Sequence, residues 1–381
     1  MDNILTYLKW RGDLTLKDAP FNEIDALILS EMVYINLDAI APGIEEGEIT
    51  IQEAAAKYQV TDGRKFFYYA QKEELFLEMA KSRRFGELKL RNYVSVTDLE
   101  QQTQFAAMQV VLGPRSYFVV YRGTDESIVG WREDFNMSYM MPVPAQQSAV
   151  EYLERTATDR FGTYYLGGHS KGGNLAIYAG VFCEPKYQKH IAKIYSFDGP
   201  GFQSNTVPQE AYQAVEERIE SYVPVSSVVG ILMEHQENYK VVQSKGIPLR
   251  QHEGLTWQLD GPAFELAEKT TGFSQSFSAT VQEWMQQVPV EDRRDMVNSI
   301  FDAFEEVGVH SVMELFEMDV RQAAALLRAV SKASIAHREL AMKFVKMLMQ
   351  EGRKFLPQNS RTKENKSKSK QEKSSKKRIR S

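Results

Sequence analysis

The chain has 381 residues, 43% hydrophobic and 25% charged, with a net charge of −5. That balance belongs to a soluble globular protein and excludes a fibrous or wholly disordered one. No apolar run approaches the roughly 20 residues that span a bilayer, and the single cysteine, Cys183, excludes an internal disulfide and a cysteine-based metal cluster.

The opening stretch, MDNILTYLKWRGDLTL, lacks the basic start, apolar core and small-residue cleavage site of a signal peptide, so the expected location is the cytoplasm. Asn22 to about Asp38 reads as a helix capped by Asn22, with Ile24, Leu27, Ile28, Met32 and Ile35 on one face. A second helix is expected from about Lys72 to Arg84, with Leu75, Phe76 and Met79 as its apolar stripe. After Leu99 the pattern changes. Ala106–Leu112 and Tyr117–Tyr121 are apolar runs joined by Gly113-Pro114-Arg115, which reads as strand, tight turn, strand. Thr163–Gly168 is a third strand and Asn174–Phe182 a helix. Ile191–Phe197 is a strand, Ala211–Glu217 a helix, Arg218–Val223 a strand and Lys240–Ser244 one more. Past the initial hairpin, strands and helices alternate, as in a largely parallel sheet covered on both faces.

From about Pro262 to Gly352 strand signals stop and helical spacing takes over, through Phe277, Val281, Trp284, Met285 and Val288, then Met296, Ile300 and Phe304, then Val320 to Met349. Three or four helices are expected. The last 24 residues, from Gln358, carry ten Lys or Arg and two Glu, a net +8 on a body of net −13. With one large aliphatic residue, Ile379, this tail is expected to be disordered. The domain reading is therefore an N-terminal helical segment over 1–94, a catalytic core over 95–260, a helical appendage over 261–356 and a basic tail over 357–381.

The chemistry concentrates in Tyr164–Gly180, YYLGGHSKGGNLAIYAG, where Gly168-His169-Ser170-Lys171-Gly172 forms a G-x-S-x-G turn between a strand and a helix. A serine on such a turn occupies unusual backbone angles, so residues two positions either side must lack bulk. The turn lifts the hydroxyl clear of the sheet edge and aims the first helix amides at a reacting carbonyl. The competing reading, a phosphate-cradling loop, calls for G-x-x-x-x-G-K-[ST] or G-x-G-x-x-G spacing, and neither is present.

Upstream, Tyr121-Arg122-Gly123-Thr124-Asp125 ends a strand. Together with GGHSKGGNLA, this segment resembles the class 3 (fungal-type) lipase family, with its F/Y-R-G-[ST] motif before a G-H-S-x-G-G elbow. Trp131 and Asp134 match the family's W-x-x-D spacing, and Gln251-His252 with Trp257 match its late histidine region. The resemblance covers about Gln104 to Trp257. The N-terminal segment and helical tail more nearly resemble an uncharacterised bacterial offshoot of that family. The resemblance implies an α/β-hydrolase fold with a C-terminal helical appendage, no cofactor and no metal. It assigns Ser170 as nucleophile and Thr124 to the oxyanion hole through its backbone N–H, with or without its hydroxyl. The second donor is the backbone N–H of Lys171.

The base of such an enzyme follows the serine in sequence. His252, after a strand and the loop Gly246-Ile247-Pro248, is the candidate, with His235 next; His169 is expected to point away from the hydroxyl. The family's usual acid position falls in Tyr222–Val229, which has no carboxylate. Asp198, in Phe197-Asp198-Gly199-Pro200-Gly201, is the only aspartate between Ser170 and His252. It is either the triad acid, one strand early, or a cap for its own loop. In a third arrangement Ser226 bonds the histidine.

The functional reading is a lipase- or esterase-like serine hydrolase that cleaves a small-molecule or lipid ester or thioester. The alternative is a non-catalytic interaction protein on a hydrolase scaffold. The basic tail reads as an accessory contact to anionic membrane or nucleic acid, peripheral at the membrane in the first case. No obligate protein partner is inferred. A lid over the site is placed either in Ser127–Pro144, with Met137, Tyr139, Met140 and Met141, or in the helical appendage.

Overall fold

A computed structural model describes residues 2–60, 69–125, 127–311, 314–315, 318–331 and 338. Among these residues nine strands form one sheet. In chain order they are β1 (Ile49–Thr50), β2 (Lys89–Asp98), β3 (Thr103–Gly113), β4 (Ser116–Tyr121), β5 (Thr163–His169), β6 (Ile191–Phe197), β7 (Ile219–Pro224) and β8 (Tyr239–Val242), closed by β11 (Leu266–Ala267) beside β8. β9 (Leu259–Asp260) and β10 (Ala263–Phe264) form a separate small hairpin. β1 to β4 pair antiparallel, β4 to β8 pair parallel, and β11 returns antiparallel. A parallel sheet with crossover helices and a strand–turn–helix elbow at its centre is an α/β-hydrolase fold.

Alternation along β4 shows how the layers arise. Phe118 and Val120 point to one face, Tyr117, Val119 and Tyr121 to the other. The first face is covered by the N-terminal helices α1 (Ile4–Arg11), α2 (Glu23–Met32), α3 (Ile51–Lys57) and α4 (Tyr69–Lys81). Ile24, Leu27, Ile28, Leu75 and Phe76 join Phe197, Tyr222 and Trp257 in one buried cluster. The opposite face is covered by α6 (Pro144–Thr156) and α7 (Lys171–Phe182), with Ala149, Leu153, Leu175 and Ala179 buried against Tyr121 and Leu166. The helix α5 (Ile128–Asn136) lies between β4 and α6 in sequence. The short α8 (Pro185–Gln188), α9 (Gln209–Gln213) and α10 (Pro248–Gln251) punctuate the loops, and α11 (Gly272–Gln287), α12 (Val290–Glu306) and α13 (Val320–Ser331) follow the sheet.

Several expectations need correction. The helix expected over Asn22–Asp38 has Asn22 as its cap, its side-chain oxygen accepting from Ile24 and Asp25 N–H, but it stops at Met32. The helix expected over Ala211–Glu217 is split into α9 and a 3-10 turn at Glu216–Arg218. β2 was not expected, and the boundary drawn at 94/95 falls inside it. The stretch expected to be helical from Val320 to Met349 is described as far as Ser331; its remainder and the basic tail lie outside the described residues.

The segment considered as a lid is packed. Ile128, Trp131, Phe135 and Tyr139 lie against a cluster built by Val297, Ile300, Phe301 and Phe304 of α12 and Leu326 and Val330 of α13. Arg132 adds contacts to Asn298 at 2.9 Å and Asp302 at 3.1 Å, and Arg293 donates to the Ser138 carbonyl. The appendage thus holds α5 from outside. Among the described residues, no helix is long and apolar enough to cross a membrane.

Candidate active site

β5 runs into Ser170, whose φ of 58° and ψ of −134° lie outside the ordinary regions for an L-residue, and α7 starts at the next residue. Such angles are costly and persist only where the surroundings enforce them. The enforcement is visible: Ser170 N–H donates to the Phe197 carbonyl at 2.9 Å, and Gly173 N–H donates to the Ser170 carbonyl at 2.9 Å. A Cβ at Gly172 would collide with the Tyr121 carbonyl oxygen. The flanking glycine is therefore required by close approach of backbone to backbone.

Asp198 ends β6 in the left-handed region, φ 51°, with its N–H on the Tyr222 carbonyl at 2.7 Å. Its carboxylate is fully buried. One oxygen accepts from Ser227 Oγ at 2.6 Å and Gly230 N–H at 3.0 Å; the other lies 2.6 Å from His252 Nδ1. Asn174 holds the loop that follows, donating to the Pro200 and Gly201 carbonyls at 3.0 and 2.9 Å. Ser226, the other suggested partner of the histidine, instead donates its N–H to Gln251 Oε1 at 3.0 Å and places its hydroxyl 3.2 Å from that of Thr271.

His252 caps the end of α10. The residues beside it explain the Gln251-His252…Trp257 pattern. Gln251 ties this loop to Ser226 and, through Nε2, to the Gly246 carbonyl at 2.9 Å; buried Trp257 donates its indole N–H to the Gln251 carbonyl at 2.9 Å. Burial works against a charged His252 imidazole, but the Asp198 hydrogen bond and charge, with Glu253 and Glu31, outweigh it and raise its pKa above the ordinary 6.5. His235, the alternative base, pairs with Glu237 at 3.0 Å, and Tyr212 donates to the same carboxylate.

The His169 side chain is directed at the histidine loop. Its Nε2 lies 2.6 Å from the His252 carbonyl oxygen, and the two imidazole rings are 4.5 Å apart. A carbonyl can only accept, so Nε2 carries the proton and Nδ1, in the neutral ring, accepts from Tyr34 OH at 3.1 Å. Burial lowers the His169 pKa, consistent with that neutral form.

Thr124 follows β4. Its hydroxyl donates to the Asp134 carboxylate, with oxygens at 2.7 and 2.6 Å, so its one proton is committed there and the backbone N–H is what it offers elsewhere. Burial pushes the Asp134 pKa up to about 6, against the opposing pull of Lys171 and the Thr124 hydrogen bond. Lys171 N–H sits in the first turn of α7, where helix amides have no intrahelical partner. Its side chain is buried and donates to Glu133 Oε2 at 2.8 Å and the Gln104 carbonyl at 3.0 Å. Glu133, fully buried, also accepts from Thr103 Oγ1 at 2.7 Å, Gln104 N–H at 3.1 Å and Ala145 N–H at 2.9 Å. A buried carboxylate with four donors is well compensated. The Lys171–Glu133 pair fixes α5, and with it Asp134 and Thr124, against the elbow.

The sequence reading missed the roles of the Glu133, Lys171 and His169 side chains. A charged residue inside a buried elbow turn was the available signal for Lys171. Among the described residues no group of His, Cys, Asp and Glu is arranged to hold a metal ion.

Three solved structures similar to this chain bear the name of a lipase. A lipase II from Rhizopus niveus is 14% identical over 54% of this chain and 78% of its own, with a TM-score of 0.33. M37 lipase is 14% identical over 72% and 97%, with a TM-score of 0.37. A Rhizomucor miehei lipase in complex with its propeptide is 15% identical over 54% and 67%, with a TM-score of 0.32. No curated protein matches. The Mbeg1-like family model matches residues 79–302, more than half of the chain and the whole of the elbow, acid and histidine described above, and the chain belongs to the Mbeg1-like family.

Proposed function

We propose that the protein is a serine hydrolase that cleaves an ester or thioester through an acyl-enzyme on Ser170. The observation that carries this reading is the 2.6 Å contact between Asp198 and His252 Nδ1, beside a serine held at φ 58° on a strand-to-helix turn. In this reading Ser170 Oγ attacks the acyl carbonyl carbon while its proton passes to His252 Nε2. The carbonyl oxygen takes up negative charge and is met by the backbone N–H groups of Thr124 and Lys171. Collapse breaks the bond to the alcohol or thiol, which leaves with the proton from His252. Water then repeats the attack on the acyl-serine, delivering its proton through His252, and the free acid departs. Asp198 holds the imidazole in the tautomer with Nδ1 protonated and stabilises the cation that forms during each attack. No cofactor enters this sequence. The class 3 lipase resemblance supports an acyl-chain ester as substrate.

The test is active-site labelling with a fluorophosphonate, followed by peptide mapping, and hydrolysis of p-nitrophenyl butyrate. Labelling of the wild type on Ser170, lost in Ser170→Ala, is the expected result. Loss of turnover in His252→Ala and its retention in His235→Ala is expected alongside. Equal labelling of wild type and Ser170→Ala would overturn the reading in favour of a non-catalytic scaffold.

A further inference from the structure

We propose that the N-terminal cover layer supplies positioning residues for the base: Tyr34, Glu31 and Lys72 hold the His252 loop in register with the serine elbow. The inference rests on the hydrolase reading of Ser170 and His252. It adds a function for a segment that lies outside both the family match, which begins at residue 79, and the lipase-like motifs.

Two chains of contact converge on residues 252–254. In the first, Tyr34 OH bonds His169 Nδ1 at 3.1 Å and lies 3.3 Å from the His169 carbonyl, while His169 Nε2–H donates to the His252 carbonyl at 2.6 Å. Gly123, beside Thr124, is required by the same approach: a Cβ there would overlap Tyr34 OH and stand 3.1 Å from Ser170 Cβ. One phenol from outside the hydrolase motifs thus touches the elbow and, through one imidazole, sets the height of the His252 backbone. In the second, Glu31 Oε1 accepts from Gly254 N–H at 3.2 Å, and Lys72 pairs with Glu31 at 2.8 Å and with Glu253 at 3.2 Å. Lys72 also lies 3.8 Å from the centre of the Tyr34 ring, joining the two chains.

The energetics argue against a purely stabilising role. Glu31 is fully buried and Lys72 nearly so. Replacement of a buried ion pair by apolar residues is often neutral or stabilising, so such a pair adds little to stability on its own. Here the contacts that leave the Tyr34–Glu31–Lys72 group end on His169, on the Gly254 backbone or on Glu253. A hydrogen-bonded buried network fixes one arrangement of its members. The arrangement fixed is that of the base relative to the nucleophile, where displacement by an ångström is costly to catalysis.

His252 is faced by Asp198 from the end of β6, His169 from β5, Glu253 from its own loop, Glu31 from α2 with Lys72 behind it on α4, and Asp134 from α5. Removing the Glu31 charge while Lys72 keeps Glu253 leaves His252 harder to protonate. The acid limb of activity then moves to lower pH.

Two variants of the full chain, assayed with p-nitrophenyl butyrate across pH 5 to 9, test the proposal. Tyr34→Phe removes one hydroxyl and is expected to lower kcat about tenfold, the scale of one lost hydrogen bond, with KM unchanged. Glu31→Gln keeps an acceptor for Gly254 N–H and removes the charge; it is expected to shift the acid limb of kcat/KM downward. A structural role alone would lower the unfolding midpoint and leave both readouts in place. Should Tyr34→Phe fail to fold, the pH profile of Glu31→Gln decides alone. Wild-type labelling and turnover with unaltered kcat in Tyr34→Phe and an unmoved acid limb in Glu31→Gln would overturn this inference only. Absence of fluorophosphonate labelling in the wild type would overturn the hydrolase reading and this inference with it.

Discussion

Replacing Asp198 by asparagine separates two roles of nearly equal shape. One carboxylate oxygen is held by two donors, Ser227 Oγ at 2.6 Å and Gly230 N–H at 3.0 Å, and the other faces His252 Nδ1 at 2.6 Å. In Asp198→Asn those two donors retain the amide oxygen, so the NH2 group must turn to His252. A donor facing Nδ1 forces that nitrogen to accept, and the imidazole proton moves to Nε2, the atom that takes the proton from Ser170 in the proposed mechanism. Were Asp198 only a hydrogen-bond partner, the loss would be about 1 kcal/mol, roughly fivefold. Loss of the reactive tautomer and of the negative charge behind the imidazolium costs about 10⁴ in kcat, or about 5 kcal/mol of transition-state stabilisation. Steady-state hydrolysis of p-nitrophenyl butyrate by the variant, with its circular dichroism compared to wild type, reads the difference. A folded Asp198→Asn protein retaining kcat within tenfold of wild type would refute the triad and leave Asp198 as a cap of its own loop.

Further outcomes follow from neighbouring contacts. In the proposed mechanism His252 acts as a neutral base, so activity falls when it is protonated; because its pKa is raised, the acid limb of kcat/KM is expected above pH 6.5, and a limb at or below 6.5 in a pH–rate profile would contradict the described environment. Asp134→Ala frees the Thr124 hydroxyl from its two contacts at 2.7 and 2.6 Å and loosens the N–H beside it; kcat is expected to fall about 10- to 100-fold with a smaller change in KM, and equal turnover in wild type and variant would remove Thr124 from the oxyanion hole. A chain ending at Pro357 lacks the net +8 tail; it is expected to keep its turnover of a soluble ester and lose salt-sensitive binding to anionic vesicles or DNA, whereas loss of turnover would place the tail within the fold.

The elbow was legible because it is local. Strand, glycine, serine, glycine and helix lie within Tyr164–Gly180, and each residue type answers a steric demand of its neighbours. Asp198 could be reached only by elimination, since its contact with His252 closes over 54 residues. β2 escaped notice for a different reason. A bulge between Arg91 and Val94 breaks the two-residue alternation, and several of its side chains face solvent. Glu133, 38 residues from Lys171, carries no local mark: in sequence it is one more charged residue, and although Lys171 stands out as a charge inside the elbow turn, only tertiary burial turns the two into a pair. The same holds for Glu31 and Lys72. The apolar residues Met137, Tyr139, Met140 and Met141 were visible, but they did not name a covering partner, so an adaptable cover and a segment clamped through Tyr139 read alike.

The order in which the layers are made has a consequence for biosynthesis. α2 packs against β5, yet about 130 residues separate Met32 from Thr163. At a translation rate of about 5–20 residues per second, roughly 7–25 s pass between the emergence of the two elements. For that interval Ile24, Leu27 and Ile28, wholly buried in the finished molecule, have at most the antiparallel strands up to β4 to cover and lack the parallel strands that complete their cluster. A nascent chain arrested before β5 is therefore a ready client for a chaperone that holds apolar helices. Release from it is expected only once the central parallel strands have been translated.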